Sequence, residues 1–503
     1  VNPDPLPVDA GGQAMGQRSV RGGLATFASQ GLRIVLQFGS QIVLARLLLP
    51  ADFGLLAMVA PLLTLVQIFN ELGLSQATIQ RAEISHGELS QLFWINLAAS
   101  LALACLMALA APLVAWFYGE PRLAMICVCL AGLLVLSGLG AQQIALMNRS
   151  MRFTALAGID IACAALSVVV GIAAALAGLG YWSLVLMQAA NSATILLMCW
   201  LLSDWRPGWP RHEASLGGLL RFGGHVTGAN LINFLGSNLD LVLIGRLGGS
   251  VAVGLYDRAF RLVAAPILQI SLPVARVAVS LLSRLHGQDA RYRTAWLRML
   301  QLLLVMTTPA VIWTAMAAPV VVPLLLGPGW GEASPIVSAL ALATGFAPLS
   351  IGAGWLFVSQ GRTGEQLRFV SLRALLAICS LLAGLPWGAL GVARAAAVTA
   401  LLVHGSQLWG AGLRGSVTHA AILRGCAPVA LGALACFAGL AAFQRLAEPG
   451  HWPAPVWLLA GIALSYACFG AGVLMLGEGR SMIEDLKRLQ RFMPGARSAD
   501  SRA

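Results

Sequence analysis

Charge is scarce in this chain. Of its 503 residues only 10% are Asp, Glu, Lys or Arg, against about 25% in ordinary soluble domains. Hydrophobic residues make up 58% and the mean hydropathy is +0.81, which places the chain in the membrane class. Lysine is almost missing: Lys487 stands beside 31 arginines. The nine cysteines form no C-x-x-C pair and lie mostly inside apolar runs, where free Cys behaves as a small hydrophobe. That argues against a disulfide framework or a metal site. There is no P-loop, no G-x-S-x-G and no carboxylate pair at catalytic spacing, so nothing points to an ATP-driven pump or a hydrolase. His212-Glu213 lacks a second His at zinc spacing, and Asn148-Arg149-Ser150 matches a glycosylation sequon on the wrong side of the membrane. The Pro- and Gly-rich start has no signal-peptide core, so the first span is expected to direct insertion.

What the sequence does have is long apolar runs without strand alternation, the pattern of helices rather than a barrel. They fall at about 20–46, 53–76, 92–118, 121–147, 154–178, 181–203, 216–246, 253–284, 292–326, 333–360, 368–386, 388–413, 421–443 and 454–476. The expected fold is an all-α integral membrane protein of fourteen spans. Counted over alternate connections with the N-terminus inside, 23 basic residues are cytoplasmic and four (Arg46, Arg122, Arg246, Arg445) are outside. This asymmetry sets the orientation, with both termini in the cytoplasm. No outside connection exceeds about ten residues, too short to hold catalytic groups acting on a lipid-linked sugar.

An internal repeat appears at an offset of 200. "ARLLLPADFGLLAM" at 45–58 aligns Arg46, Leu47, Gly54 and Leu55 with Arg246, Leu247, Gly254 and Leu255 of "GRLGGSVAVGLYDR" at 245–258. A weaker echo pairs 111–123 with 318–330. Parallel six-helix repeats are a transporter architecture with the substrate path at their interface. The expected organisation is a disordered cytoplasmic N-terminus (1–19), an N-lobe (20–203), a cytoplasmic connection (204–215), a C-lobe (216–413), two extra spans (421–476) and a cytoplasmic tail (477–503). The lobes are related by pseudo-two-fold symmetry.

Polar residues within the spans follow helical periodicity. Thr26, Gln30, Arg33, Gln37 and Gln41 share a face of the first span, and Thr64, Gln67, Glu71, Ser75 and Thr78 share one of the second. Asn230, Asn233, Ser237 and Asp240 line the seventh; Arg258, Arg261, Gln269 and Arg276 line the eighth, where Pro266 and Pro273 are expected to kink the helix. Such stripes face a hydrated cavity or one another, not lipid. Most of the Asn, Gln and Thr residues read as structural glue, and Arg46 and Arg246 as caps on helix carbonyls. Few acids lie in the spans: Glu71, Asp160, Asp240 and Asp257. An excess of Arg over acid asks for an anionic ligand, and a pyrophosphate is the natural one. A cationic drug would instead ask for an acidic cavity.

The segments "LARLLLPADFGLLAM", "ELGLSQATIQR", "NLDLVLIGRLGG", "GLYDRAFRL" and "WLFVSQGRT" resemble the polysaccharide-transport branch of bacterial oligosaccharide flippases, in the multidrug/oligosaccharidyl-lipid/polysaccharide (MOP) superfamily. The resemblance covers about residues 20–415. It implies a two-lobed inner-membrane transporter that moves undecaprenyl-pyrophosphate-linked oligosaccharide to the periplasmic leaflet by alternating access. It would work as a monomer with polysaccharide-assembly partners, without nucleic acid, cofactor or metal. Under that reading Arg33, Arg258, Arg261 and Arg276 hold the phosphates, and Gln30, Gln37, Asn230 and Asn233 contact sugar hydroxyls. Glu71 and Asp240 couple transport to a proton or sodium gradient. The rival readings are a multidrug/cation antiporter of the same superfamily and, from another class, a membrane glycosyltransferase or polymerase.

Overall fold

The computed structural model describes residues 31–71, 85–209, 217–413, 417–447, 452–476 and 479. No strand occurs among them. The helices are α1 (31–47), α2 (Pro50–Glu71), α3 (His86–Tyr118), α4 (Arg122–Arg149), α5 (Phe153–Leu176), α6 (Trp182–Leu202), α7 (Gly217–Arg284), α8 (Asp289–Leu326), α9 (Ala333–Gly345), α10 (Ala347–Ser359), α11 (Thr363–Gly384), α12 (Gly388–Leu413), α13 (His419–Leu446) and α14 (Ala454–Leu474). Eleven stretches of the described residues are long and apolar enough to cross a membrane. Two of these, Asn238–Arg284 and Gly364–Gly410, run to 47 residues each. That is about 70 Å of helix against a hydrocarbon core of about 30 Å. Each contains a break: Gly249 in α7 has φ 73°, and Gly388 between α11 and α12 has φ 68°. Only glycine takes such values without strain. Pro266 and Pro273, expected to kink the eighth span, lie where α7 continues as helix.

Some boundaries differ from expectation for local reasons. α3 begins at His86, six residues before the expected 92, because Ser85 and Glu88 close a reciprocal capping box. The expected tenth span is two helices that meet at Phe346, with Pro348 in the first turn of the second.

The chain forms two compact units, 1–254 and 255–503. In the first, α3 packs on α4, α5 on α6, and α4 also on α6 and α2. Trp200 Nε1 donates to the Leu139 carbonyl at 3.0 Å, tying α6 to α4. The segment after α6 folds back on α3: Trp94 Nε1 donates to Gly208 O at 2.9 Å, Gly208 N to Ser90 Oγ at 2.9 Å, and Trp205 Nε1 to His86 Nδ1 at 3.2 Å. Between α3 and α4, Gly119 takes the left-handed cap. Arg122, bonded to Glu120 at 2.8 and 2.9 Å, holds that carboxyl below the usual carboxylate range.

The tightest packing in this unit is reciprocal. A Cβ on Gly54 would overlap the carbonyl of Ser250, and a Cβ on Gly254 would overlap the carbonyl of Pro50. Positions 50 and 250, and 54 and 254, are the pairs that the offset of 200 relates. Each repeat therefore offers its glycine to the other's backbone, which is the contact a local two-fold axis produces.

In the second unit α8 is the hub, packed against α9, α10, α13 and α14. Trp296, Tyr292 and Leu300 of α8 are buried with Phe357 of α10 and Phe469 of α14. Side-chain donors reach carbonyls on neighbouring helices: Trp296 Nε1 to Gly352 at 2.9 Å, Gln301 Nε2 to Gly425 at 2.9 Å, and Tyr466 OH to Met306 at 2.8 Å. The α13–α14 pair closes on small residues, with Gly472 against Gly432, as membrane helices do in the absence of a hydrophobic drive between them.

Substitution separates the glycines. Gly54→Ala and Gly254→Ala are expected to destabilise purified protein by about 1–3 kcal/mol through overpacking. Gly39→Ala, where a Cβ meets nothing within 4 Å, should be neutral or stabilising. Thermal denaturation in detergent measures the difference.

Candidate functional site

Most of the polar residues singled out in the sequence sit on α1, α2 and α7. In the first unit, Arg33 Nη1 of α1 lies 3.7 Å from Asp160 Oδ1 of α5, with both side chains about half exposed. The sequence shows no acid near Arg33; the fold supplies one from 127 residues away. Gln37 is exposed, and its carbonyl accepts the Ser40 hydroxyl. Gln30 lies outside the described residues, as do the side chains of Glu71, Asn230 and Asn233. Asp240 accepts the Leu241 amide at 2.9 Å. Arg246, expected to cap carbonyls, lies over the Phe117 ring at 5.9 Å.

The second unit holds the densest charge cluster, on the C-terminal half of α7. Asp257 is buried, with a side chain only 5% exposed. Arg258, 13% exposed, reaches its Oδ2 at 3.2 Å. Arg261, one helical turn on, donates from Nε to both carboxylate oxygens at 2.9 Å and remains 55% exposed. Two guanidiniums share one carboxylate, so the cluster keeps a net positive charge. The two arginines differ in consequence. Arg258 is enclosed, and its first service is to neutralise a buried acid. Arg261 is gripped by its Nε edge, while its terminal nitrogens carry no hydrogen bond or ion pair to the described residues. A guanidinium held this way is oriented and still has its outer fork for an anion.

Arg276 lies 15 residues beyond Arg261, about 22 Å along α7. It is exposed and forms no ion pair among the described residues. At that spacing Arg276 and the Arg258–Arg261 pair cannot grip one diphosphate at the same time, because the helix holds them much farther apart than a diphosphate reaches. The Asp257 clamp was missed in the sequence, although its signal was present. Asp257 and Arg261 stand four apart on a helix, where opposite charges meet.

An all-helical membrane protein with oriented cations inside its spans can hold an anionic group at membrane depth. Comparison with known proteins narrows the class. Residues 43–335, more than half the chain, match the family described as polysaccharide biosynthesis protein. Teichuronic acid biosynthesis protein TuaB of Bacillus subtilis is 27% identical over 328 residues, 64% of this chain and 68% of that protein. Lipopolysaccharide biosynthesis protein WzxC of Escherichia coli is 26% identical over 376 residues, 73% and 75% of the two chains. The lipid II flippase MurJ, in an inward closed conformation, superimposes with a TM-score of 0.70 over 90% of this chain and 97% of its own, at 14% identity, a likeness of fold. The chain belongs to the polysaccharide biosynthesis protein family.

Removing one partner of the clamp should be costly. Asp257→Ala leaves Arg258 buried without its carboxylate and is expected to destabilise by about 3–5 kcal/mol. Asp257→Leu combined with Arg258→Leu should recover much of that loss in the same melting assay.

Proposed function

We propose that this chain is a flippase that carries polyprenyl-pyrophosphate-linked oligosaccharide from the cytoplasmic to the periplasmic leaflet of the bacterial inner membrane. It does so by alternating access, for exopolysaccharide, capsule or O-antigen assembly. In this reading α7 (Gly217–Arg284) and the Gly364–Gly410 stretch each cross twice, turning at their glycine breaks, and α1 and the two expected C-terminal spans complete fourteen crossings with both termini in the cytoplasm.

The observation that carries the reading is the oriented, half-open guanidinium of Arg261. A net positive cluster fits a diphosphate and repels a cationic drug. In the proposed orientation α7 ends in the cytoplasm at Arg284, so Arg276 lies nearer the cytoplasmic face and Arg261 nearer the periplasmic one. The phosphates then meet these arginines in succession. Arg33, anchored by Asp160, is the corresponding cation of the first unit. Arg258 acts through Asp257, by holding the acid that orients Arg261. Gln30, Gln37, Asn230 and Asn233 remain the proposed sugar contacts, and Glu71 and Asp240 the proposed ion-coupling acids, for protons or sodium.

Arg261→Ala and Arg276→Ala are each expected to lower polymer export at least about tenfold at unchanged protein level, with lipid-linked oligosaccharide accumulating in the membrane fraction. Undiminished export from Arg261→Ala, measured as sugar in the culture supernatant, would overturn the assignment.

A further inference from the structure

The second unit contains a buried polar cluster that the anion site does not use. Ser350, one turn into α10, hydrogen-bonds through Oγ to His404 Nδ1 and, at 2.6 Å, to Gln407 Oε1. His404 and Gln407 stand three apart on α12 and share its face towards α10. All three side chains are buried. The cluster lies just past Phe346, where Pro348 interrupts the hydrogen-bond ladder while the backbone stays close to helical.

The proton positions follow from counting donors. The Ser350 hydroxyl has one proton, and it goes to Gln407 Oε1, which can only accept. Ser350 Oγ must then accept from His404, so the neutral imidazole carries its proton on Nδ1 and a lone pair on Nε2. No hydrogen bond to Nε2 comes from the described residues. An added proton can go only there, and the Nδ1–H···Oγ–H···Oε1 chain is already polarised to support the imidazolium.

From this geometry we infer that His404 is a proton-binding site inside the second unit, and that it takes up and releases a proton in the transport cycle, alongside the acids proposed above. This rests on the flippase reading above. The donor set argues for a proton over sodium: it offers a hydroxyl and one amide oxygen, with no carboxylate among the described residues against it. The surroundings supply few other charges. By sequence α9 and α10 carry no titratable side chain. α11 carries Glu365, Arg368 and Arg373 by sequence. On α12 itself Arg394 is ten residues away, and on α13 His419 is engaged with the Trp409 carbonyl and ring.

The test uses the full-length chain with ¹⁵N-labelled histidine in lipid nanodiscs. His404→Asn keeps a donor where Nδ1 stands but cannot titrate, so it both assigns the His404 resonances and removes the proton site. In the wild type, Nδ1 should carry the proton at neutral pH and Nε2 should gain one on acidification. Ser350→Ala should shift the tautomer towards Nε2–H. In cells, His404→Asn should cut export at least about tenfold and abolish what remains of its sensitivity to a protonophore. An Nε2–H tautomer in the wild type, or wild-type export and protonophore sensitivity in His404→Asn, would overturn the inference. If His404→Asn does not accumulate, the tautomer and titration of the wild type and of Ser350→Ala decide the matter. The two readings fail separately: unchanged export and no build-up of lipid-linked oligosaccharide in cells lacking this protein would end the flippase assignment and leave the titration of His404 standing.

Discussion

A charge inside a bilayer must be paired, hydrated or absent, and that constraint organises this protein. Asp257 is the residue on which most depends. As a buried carboxylate it cannot stand alone, and it recruits two guanidiniums from its own helix. One is enclosed with it; the other is left half open. A single acid thus creates a neutralised core and an oriented cation from one stretch of sequence, "YDRAFR". Without Asp257, Arg258 would lose the carboxylate it is buried against and Arg261 would be a flexible chain free to snorkel away.

The same stretch begins at the end of the reciprocal glycine contact. Gly254 meets the backbone at Pro50, and Asp257 follows within one turn. Backbone-to-backbone approach of this kind tolerates no side chain, so it fixes the helical phase at residue 254. Asp257 and Arg261, four apart on the same helix, share a face by helical geometry.

The all-α class, the apolar segments and the repeat were legible in the sequence because they rest on composition and periodicity, which are local. The start of α3 was legible too, in Ser85 and Glu88, but hydropathy alone placed it six residues late. The division of Ala333–Ser359 at Phe346 was harder to see, since within an apolar run only Pro348 signals the missing hydrogen bond. The partners were the least legible. Arg33 meets Asp160 across 127 residues, and Ser350 meets His404 across 54. No periodicity encodes such pairings, so His404 read as one scattered histidine among seven. The motif "WLFVSQGRT" is a further case. Its polar residues build a turn: Gly361 takes φ 70°, Tyr292 bonds Ser359 at 2.6 Å, and Arg362 bonds Gln360 and Glu365. A resemblance marked the segment, and only the fold shows that it holds a connection in place.

Two kinds of polar chemistry then coexist in the second unit, and they demand opposite surroundings. A phosphate site needs permanent positive charge, which Arg keeps at any relevant pH. A site that exchanges a proton needs a group whose charge can change, and a fixed carboxylate or guanidinium bonded directly to it would commit it to one form. The chain meets both demands by keeping the chemistries on different helices. The permanent charges are on α7 with their own counterion, and the titratable imidazole is between α10 and α12 with neutral partners only. Ser350 and Gln407 orient the ring without imposing a charge, much as Asp257 orients Arg261 by imposing one. What distinguishes the two sites is therefore the partner more than the ionisable residue: a carboxylate makes a permanent anion clamp, and a hydroxyl–amide pair leaves a base free to respond.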